Sequence, residues 1–203
     1  MSKGKTKKTL FYPVAFMVAM SMIMSLALAT LNQVTYGIIK EQEENQTRRS
    51  ILSALGLEST SDDEIERIFR ENMSEQMWNE EIYYIYSEGN EEVAYVFPIL
   101  GSAVWGSVEA FGAMDKERTT LLGVDFVRHS ETPGLGGRIE DDWYKEQFRG
   151  IDITGDMPYV VYRPAPEGNV DTISGATSTS NAVLALINEN IHEFKNFKEE
   201  GGA

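Results

Sequence analysis

A run of hydroxyl side chains between positions 171 and 180 is the strongest candidate for chemistry in this sequence. Its letters are D-T-I-S-G-A-T-S-T-S, and an apolar stripe at helical spacing follows at Val183, Leu184, Ile187, Ile191 and Phe194. This spacing predicts a helix from Ser178 to about Lys198. Free N–H groups, the positive dipole end and hydroxyls at a helix start suit an anion such as phosphate. The alternative is a helix cap with more hydroxyls than it needs.

A second candidate is the glycine-rich segment Glu131-Thr132-Pro133-Gly134-Leu135-Gly136-Gly137. Three glycines and one proline in seven residues predict a tight loop whose backbone can approach a ligand closely. The alternative is an ordinary turn between a strand and a helix.

The common catalytic signatures are absent from this sequence. It has no P-loop, no G-x-G-x-x-G, no G-x-S-x-G and no H-E-x-x-H. His129 and His192 stand far apart, and structural roles are expected for both. The acidic pairs at 62–63 and 141–142 each open a predicted helix, where the dipole stabilises them. We therefore expect no catalytic residue and no metal site in this chain.

The spacing D-x-x-S-G-A-T from Asp171 to Thr177 resembles the flavinylation motif of the FMN-binding domain family. The resemblance implies that a flavin transferase joins the phosphate of FMN to the hydroxyl of Thr177 as a phosphoester. The other motif positions are filled by Asp171, Ser174, Gly175 and Ala176, and the adjacent Ser178 is included in the expected FMN site.

Two further segments extend the resemblance. Thr132, Pro133, Gly134, Leu135 and Gly136 are similar to a family segment that lies near the bound flavin in relatives. The segment from Gly101 to Gly106 resembles a third, although Ala103 and Val104 replace the usual Gly and Leu. The resemblance makes Trp105 a candidate for packing on the flavin ring, with Tyr159 and Tyr162 as further candidates. Arg138 could balance flavin or phosphate charge, or be a surface charge.

Charge and composition limit the remaining function classes. The sequence has 203 residues and a net charge of −14, which argues against a nucleic-acid binder because such proteins need a basic face. The charge is unevenly distributed: residues 1–36 carry +4 and the rest carries −18. The absence of cysteine excludes disulfides, thiol catalysis and cysteine-ligated iron–sulfur clusters from this sequence.

The segment from Leu10 to Leu31 predicts a transmembrane helix. Eighteen of its 22 residues are apolar, and no charged residue lies between Lys8 and Lys40. At ~1.5 Å per residue it spans about 33 Å, against a hydrocarbon core of about 30 Å. The alternative is a cleaved secretory signal, with Ala27-Leu28-Ala29 as a possible cleavage site. In either case the lysines stay cytoplasmic and the acidic part faces outward.

The remaining pattern predicts a small α+β domain with an antiparallel sheet and flanking helices. Strands are predicted at 82–86, 93–97, 103–110, 120–129 and 159–163, and helices at 38–55 and 141–148. Ser59-Thr60-Ser61-Asp62-Asp63 predicts the N-cap of a further helix, with Ile65, Ile68 and Phe69 on one face. The expected domains are a basic leader and anchor over 1–36, a helical connector over 37–80 and an FMN-binding domain over 81–203.

One anchor followed by this domain resembles the G subunit of the Rnf ion-translocating oxidoreductase complex, which is the main expectation. The alternative is the related C subunit of the sodium-pumping NADH:quinone reductase. Either resemblance implies an electron carrier with covalent FMN on the outer face of a bacterial or archaeal cytoplasmic membrane. The implied partners are other membrane and iron–sulfur subunits, the flavin transferase and the lipid bilayer, with no nucleic acid. The alternative of another class is a membrane-tethered binding module without redox activity.

Overall fold

The computed structural model describes residues 5–57 and 61–197. Lys3 of the basic leader, Ser59 and Thr60 before the second predicted helix, and Lys198 lie outside the described residues. The chain divides into two compact units, Met1–Glu44 and Asn45–Ala203. The predicted domain limits at 36 and 80 stay predictions.

The first unit is helical. Helix α1, Lys5–Leu55, contains an apolar segment with a mean hydropathy of 2.2, long enough to cross a membrane by length and composition. Side chains from Phe11 to Val34 are exposed, which is not the pattern of a core helix. Pro13 lies inside this helix.

The second unit opens with two helical segments. Helix α1 ends at Leu55, immediately before Gly56, as the sequence predicts. Helix α2, Asp62–Asn72, begins after Ser61, whose hydroxyl accepts the Glu64 N–H at 3.3 Å. This cap satisfies one of the free N–H groups of the first turn.

A six-stranded antiparallel sheet follows, and its strand order is the chain order. The strands are β1 Met73–Trp78, β2 Glu81–Glu88, β3 Glu91–Ser102, β4 Ser107–Asp115, β5 Thr120–His129 and β6 Ile151–Asp152. Between β5 and β6 lie a 3₁₀ turn, Gly136–Glu140, helix α3, Asp142–Lys145, and a second 3₁₀ turn, Glu146–Phe148. The predicted α+β class with an antiparallel sheet is confirmed.

Helices cover both faces of this sheet. Helix α4, Thr177–Asn196, packs on the face that includes Phe97 and Ile99 of β3. The intervening Val96 points to the opposite face, where it packs with Ile51 of α1. This alternation follows from the two-residue period of a strand. The part of β3 between the helices is therefore buried on both sides.

The strands of the structure differ from the predicted ones in several places. Strand β3 is longer than the predicted 93–97, and the short strand β6 was not predicted. Strand β1 lies within the predicted helical connector. The strand expected at 103–110 begins only at Ser107, because the Ala103 N–H donates to the Gly106 carbonyl at 2.9 Å and closes a turn.

No strand forms at 159–163. Asn188 accepts the N–H groups of Tyr159 and Val160 at 2.7 and 2.9 Å, and Asn169 accepts that of Val161 at 2.9 Å. Side chains thus replace the partner strand, and only an isolated bridge joins Tyr162 to Val170.

Candidate functional site

The motif threonine stands at the first position of a helix. Thr177 opens α4 and is exposed, whereas Ala176 at the N-cap is buried and offers no side-chain acceptor. The alternative of a hydroxyl-rich cap is therefore wrong: no side chain caps α4, and the Ser180 hydroxyl accepts the Ile173 N–H at 3.1 Å. Gly175 has φ +81°, a left-handed conformation that favours glycine. The chain thus turns sharply into α4 with the Thr177 hydroxyl at the surface.

The glycine-rich loop folds against this first turn. The Thr132 carbonyl accepts the N–H groups of Leu135 and Gly137, at 3.1 and 2.9 Å. Pro133 and Gly134 are exposed, whereas Gly136 is buried. A Cβ at position 136 would lie 2.6 Å from Thr179 Oγ1, so no larger residue fits without a shift. The two predicted segments are therefore in direct contact.

Glu131 connects this loop to two other predicted segments. Its side chain is buried, with 4% of the residue exposed. Oε2 accepts the Thr179 hydroxyl at 2.6 Å, and Oε1 accepts the backbone N–H of Trp105 at 2.9 Å. We call this pair of hydrogen bonds the Glu131 bridge. It joins the 103–106 turn, the glycine-rich loop and the first turn of α4.

The role of Glu131 was not predicted from the sequence, where it is only the first residue of a loop. The available signal was an acidic residue immediately before a glycine-rich segment. That signal is weak, because both partners of Glu131 are more than 25 positions away.

Exposed apolar side chains lie on the joined segments. The exposed fractions of Val104, Trp105 and Leu135 are 44%, 69% and 47%. Leu135 Cδ2 lies 3.5 Å from the position that a Cβ on Gly175 would occupy. Leu135 thus reaches the turn that precedes Thr177. Large apolar side chains exposed on segments that are joined in this way are candidates for a binding surface.

The remaining motif residues lie around the start of α4. The carboxylate of Asp171 pairs with Arg163 at 2.7 Å, and its backbone N–H donates to Gln147 Oε1 at 2.7 Å. Ser174 and Ser178 are exposed on either side of Ala176. Asp171 therefore anchors the segment that leads into Thr177, while the serines remain accessible to a ligand.

Tyr159 and Arg138, two further candidates from the sequence, have side-chain partners outside the start of α4. Tyr159 is buried, and its hydroxyl lies 3.1 Å from His192 Nδ1. Arg138 pairs with Asp141 at 3.1 Å and stacks over Trp143. Hydrogen bonds from Trp143 and then Arg138 lower the pKa of the Asp141 carboxyl. The charge of Arg138 is thus already balanced within the chain.

Tyr162 makes a hydrogen bond to the backbone of the first turn of α4. Its hydroxyl donates to the Ser180 carbonyl at 2.9 Å and lies 2.8 Å from the Tyr144 hydroxyl. Burial raises the pKa of Tyr162, and burial together with the neighbouring Tyr162 raises that of Tyr144 well above its ordinary value. In the folded state both tyrosines are therefore held neutral.

This tyrosine pair predicts an alkaline loss of stability. A raised folded-state pKa gives stability that is complete below the unfolded pKa of about 10 and is lost as the pH rises above it. Tyr144→Phe should flatten the decline of the unfolding free energy above pH 10 by up to about 1.4 kcal/mol per pH unit. Denaturant titrations from pH 7 to 11.5 measure this decline. Tyr36→Phe, at an exposed position of α1, is the control; parallel wild-type and Tyr144→Phe curves would contradict the prediction.

Neither histidine stands in a metal-binding cluster. His129 Nδ1 accepts the Glu131 N–H at 3.1 Å, and its Nε2 lies 3.0 Å from Glu140 Oε1. Within residues 5–57 and 61–197 no group of three or more His, Asp or Glu side chains is placed to hold a metal ion. Both histidines have structural partners.

Comparison with known proteins identifies this region. Residues 104–192 match the family model described as the FMN-binding domain. The chain is 37% identical over 115 residues to the C subunit of the Na(+)-translocating NADH-quinone reductase of Yersinia pestis, covering 53% of this chain and 43% of that protein. The corresponding Vibrio anguillarum protein is 35% identical over 112 residues, covering 52% of this chain and 44% of that protein. The matched part thus spans less than half the length of these relatives.

Solved structures share the fold. The crystal structure of the C subunit of the Na(+)-translocating NADH-quinone reductase from Parabacteroides distasonis has a TM-score of 0.65 at 22% identity, covering 79% of this chain and 97% of that one. Shewanella oneidensis NqrC gives 0.62 at 17% identity, covering 77% and 97%. The expected resemblance to the FMN-binding domain family is confirmed. The main expectation was the G subunit of the Rnf complex. The relatives instead favour the alternative, the C subunit of the sodium-pumping reductase.

Proposed function

We propose that this chain is the electron-transferring C subunit of a sodium-translocating NADH:quinone reductase, because residues 104–192 match the model of the FMN-binding domain. In this proposal FMN is attached to Thr177 through a phosphoester, and the chain is not catalytic without its partner subunits. The observation that carries the proposal is the exposed threonine of a D-x-x-S-G-A-T motif at the start of α4, beside exposed apolar side chains.

The residues of the site suit the two ends of FMN. The start of α4 has no side-chain cap, so its first-turn N–H groups and positive dipole end are suited to a phosphate group. The apolar side chains of Val104, Trp105 and Leu135 are suited to an aromatic ring system. The exposure of Thr177 leaves its hydroxyl accessible to a flavin transferase.

In this function the protein binds and orients the cofactor. When bound, FMN supplies reversible electron transfer. Thr177 fixes its phosphate end, the turn at Gly175 directs the chain into α4, and Ser174 and Ser178 offer hydroxyl donors next to the attachment point. The exposed side chains of Trp105 and Leu135 would contact the ring and exclude water from it. A covalent bond retains the cofactor in a domain outside the cytoplasm, where a dissociated flavin would be lost.

The membrane arrangement is part of the proposal. The apolar helix from Phe11 onward is the anchor, and the lysines before it keep the N-terminus cytoplasmic, so the acidic domain faces outward. Electrons then pass between this domain and the membrane and iron–sulfur subunits of the complex.

The choice of complex rests on the relatives, which are named as the C subunit of the sodium-translocating reductase. Membranes containing the complex allow a direct test. NADH should bleach the flavin of this chain, quinone should restore its colour, and sodium ions should accelerate the cycle. Bleaching by reduced ferredoxin but not by NADH would instead support the Rnf complex.

The attachment itself is tested on the full chain made in a host with the flavin transferase. After denaturing electrophoresis the band should fluoresce under ultraviolet light, and the intact mass should increase by one FMN group. The same chain from a host without the transferase is the control. A dark wild-type band from the transferase-containing host contradicts covalent FMN, and a preparation without any flavin absorbance supports the non-redox binding module.

A further inference from the structure

We propose that Glu131 is a positioning residue for flavin attachment, because its carboxylate holds the Trp105 turn against the first turn of α4, where Thr177 stands. This inference rests on the proposed function and adds a residue outside the flavinylation motif. Glu131 does not contact the attachment point in this scheme; it acts through Trp105 and Thr179.

The two oxygens of the carboxylate have separate partners. Oε1 accepts the Trp105 N–H at 2.9 Å and Oε2 accepts the Thr179 hydroxyl at 2.6 Å. Hydrogen bonds to an ionised acceptor are shorter and stronger than those between neutral groups. A single side chain therefore fixes the distance between two segments that are more than 70 positions apart in the sequence.

The carboxylate of Glu131 is buried without a cationic partner among the described residues, which is unfavourable for the folded state. The residue is 4% exposed, and none of the salt bridges among residues 5–57 and 61–197 includes it. Burying a carboxylate without a cation is unfavourable, and glutamate is seldom found fully buried unless it is paired. The cost is explained if the two hydrogen bonds perform a specific task at this site.

The glycine-rich loop is shaped to allow the Glu131 bridge. A Cβ on Gly136 would lie 2.8 Å from Glu131 Oε2 and 2.6 Å from Thr179 Oγ1. Only glycine lets the loop backbone pass this close to the hydrogen bond. The loop therefore covers the bridge and excludes water from it, while Leu135 remains at the surface beside Gly175.

The consequence concerns the exposed ring of Trp105. Its own turn is closed by the Ala103–Gly106 hydrogen bond, but this bond does not fix the turn relative to α4. The Glu131 bridge supplies that connection. Without it, the apolar side of the site and the Thr177 hydroxyl would no longer keep a constant separation, and a transferase would meet a poorly ordered acceptor site.

Thr179→Val tests this role in the full chain, because valine keeps the shape of threonine and removes the hydroxyl. Hydrogen–deuterium exchange of the Trp105 amide should accelerate at least about tenfold, and the flavinylated fraction after a short transferase reaction should fall several-fold. Thr179→Ser keeps the hydroxyl and should restore both values. Glu131→Ala removes the carboxylate and should reproduce Thr179→Val.

Thr119→Val is the matched control. Thr119 Oγ1 donates to Asp115 Oδ2 at 2.7 Å, which is also a hydrogen bond from a threonine hydroxyl to a carboxylate. It lies in the turn between β4 and β5, at the end of these strands that is remote from Trp105 and Glu131. Thr119→Val should leave the Trp105 amide and the flavinylated fraction unchanged. Circular dichroism of each variant verifies folding before the other measurements.

The outcomes separate this inference from the proposed function. A wild-type chain that acquires no covalent flavin contradicts the proposed function, and the positioning role falls with it. A flavinylated wild type with an equally flavinylated Thr179→Val contradicts the positioning role alone, whether or not the Trp105 amide exchanges faster. Failure of Thr179→Ser to restore flavinylation also contradicts the positioning role. The packing of the Thr179 methyl group, and not its hydroxyl, would then determine flavinylation.

Discussion

Thr177→Ala is expected to abolish covalent flavin completely, because the methyl side chain has no oxygen to form the phosphoester. The variant band should be dark under ultraviolet light while the wild-type band fluoresces, and its intact mass should lack one FMN group. The change is expected to leave the fold intact, since Thr177 is exposed and makes no side-chain cap. Alanine is also a favourable residue within a helix.

Thr172→Ala is the matched control for this prediction. Thr172 is an exposed hydroxyl residue five positions earlier, outside the fixed positions of the motif. Its variant should fluoresce like the wild type. A fluorescent Thr177→Ala band would place the attachment on another residue, and peptide mapping of the flavin would then identify it.

Phe194→Ala is expected to cause the largest loss of stability, about 3–5 kcal/mol. Phe194 is fully buried near the end of α4, stacks on Phe97 with ring centroids 4.7 Å apart, and contacts Trp78 and Tyr83 edge-on at 5.1 and 5.2 Å. Alanine would leave a cavity between α4 and the sheet. Urea unfolding of the full chain in detergent, followed by circular dichroism, measures the change in unfolding free energy.

The comparison variant is Phe111→Ala on the opposite face of the sheet. Phe111 is only partly buried and makes one edge-on contact with Tyr84 at 6.1 Å. Its loss should be smaller, about 1–2 kcal/mol, because less apolar surface returns to water. Equal losses for the two variants would contradict this prediction, because the two side chains differ in burial.

The local features of this protein are predictable from its sequence. The apolar run of α1 and the Ser61 cap depend on neighbouring residues, and the structure has both. The start of α4 was predicted within one residue, because the apolar stripe from Val183 to Phe194 fixes its face. Short-range signals of this kind are fully contained in a window of a few residues.

Features that depend on distant partners could not be predicted. The strand expected at 159–163 does not form, because the side chains of Asn188 and Asn169 accept its backbone N–H groups. The residues within 159–163 give no indication of these distant acceptors. Strand β1 has exposed side chains at most positions, so it lacks the alternation that identifies a strand. For the candidate site, the motif segments were found, but the buried Glu131 between them was not.

The position of α4 in the chain has a consequence for the order of maturation. Neighbouring strands of the sheet are neighbours in sequence, so the sheet can form progressively during synthesis. Helix α4 follows all six strands, and it brings both Thr177 and the Thr179 hydroxyl to segments made earlier. The acceptor site of the proposed function is complete only after α4 has packed on the sheet. Attachment of the cofactor at this helix would thus occur last and mark the chains that have already folded.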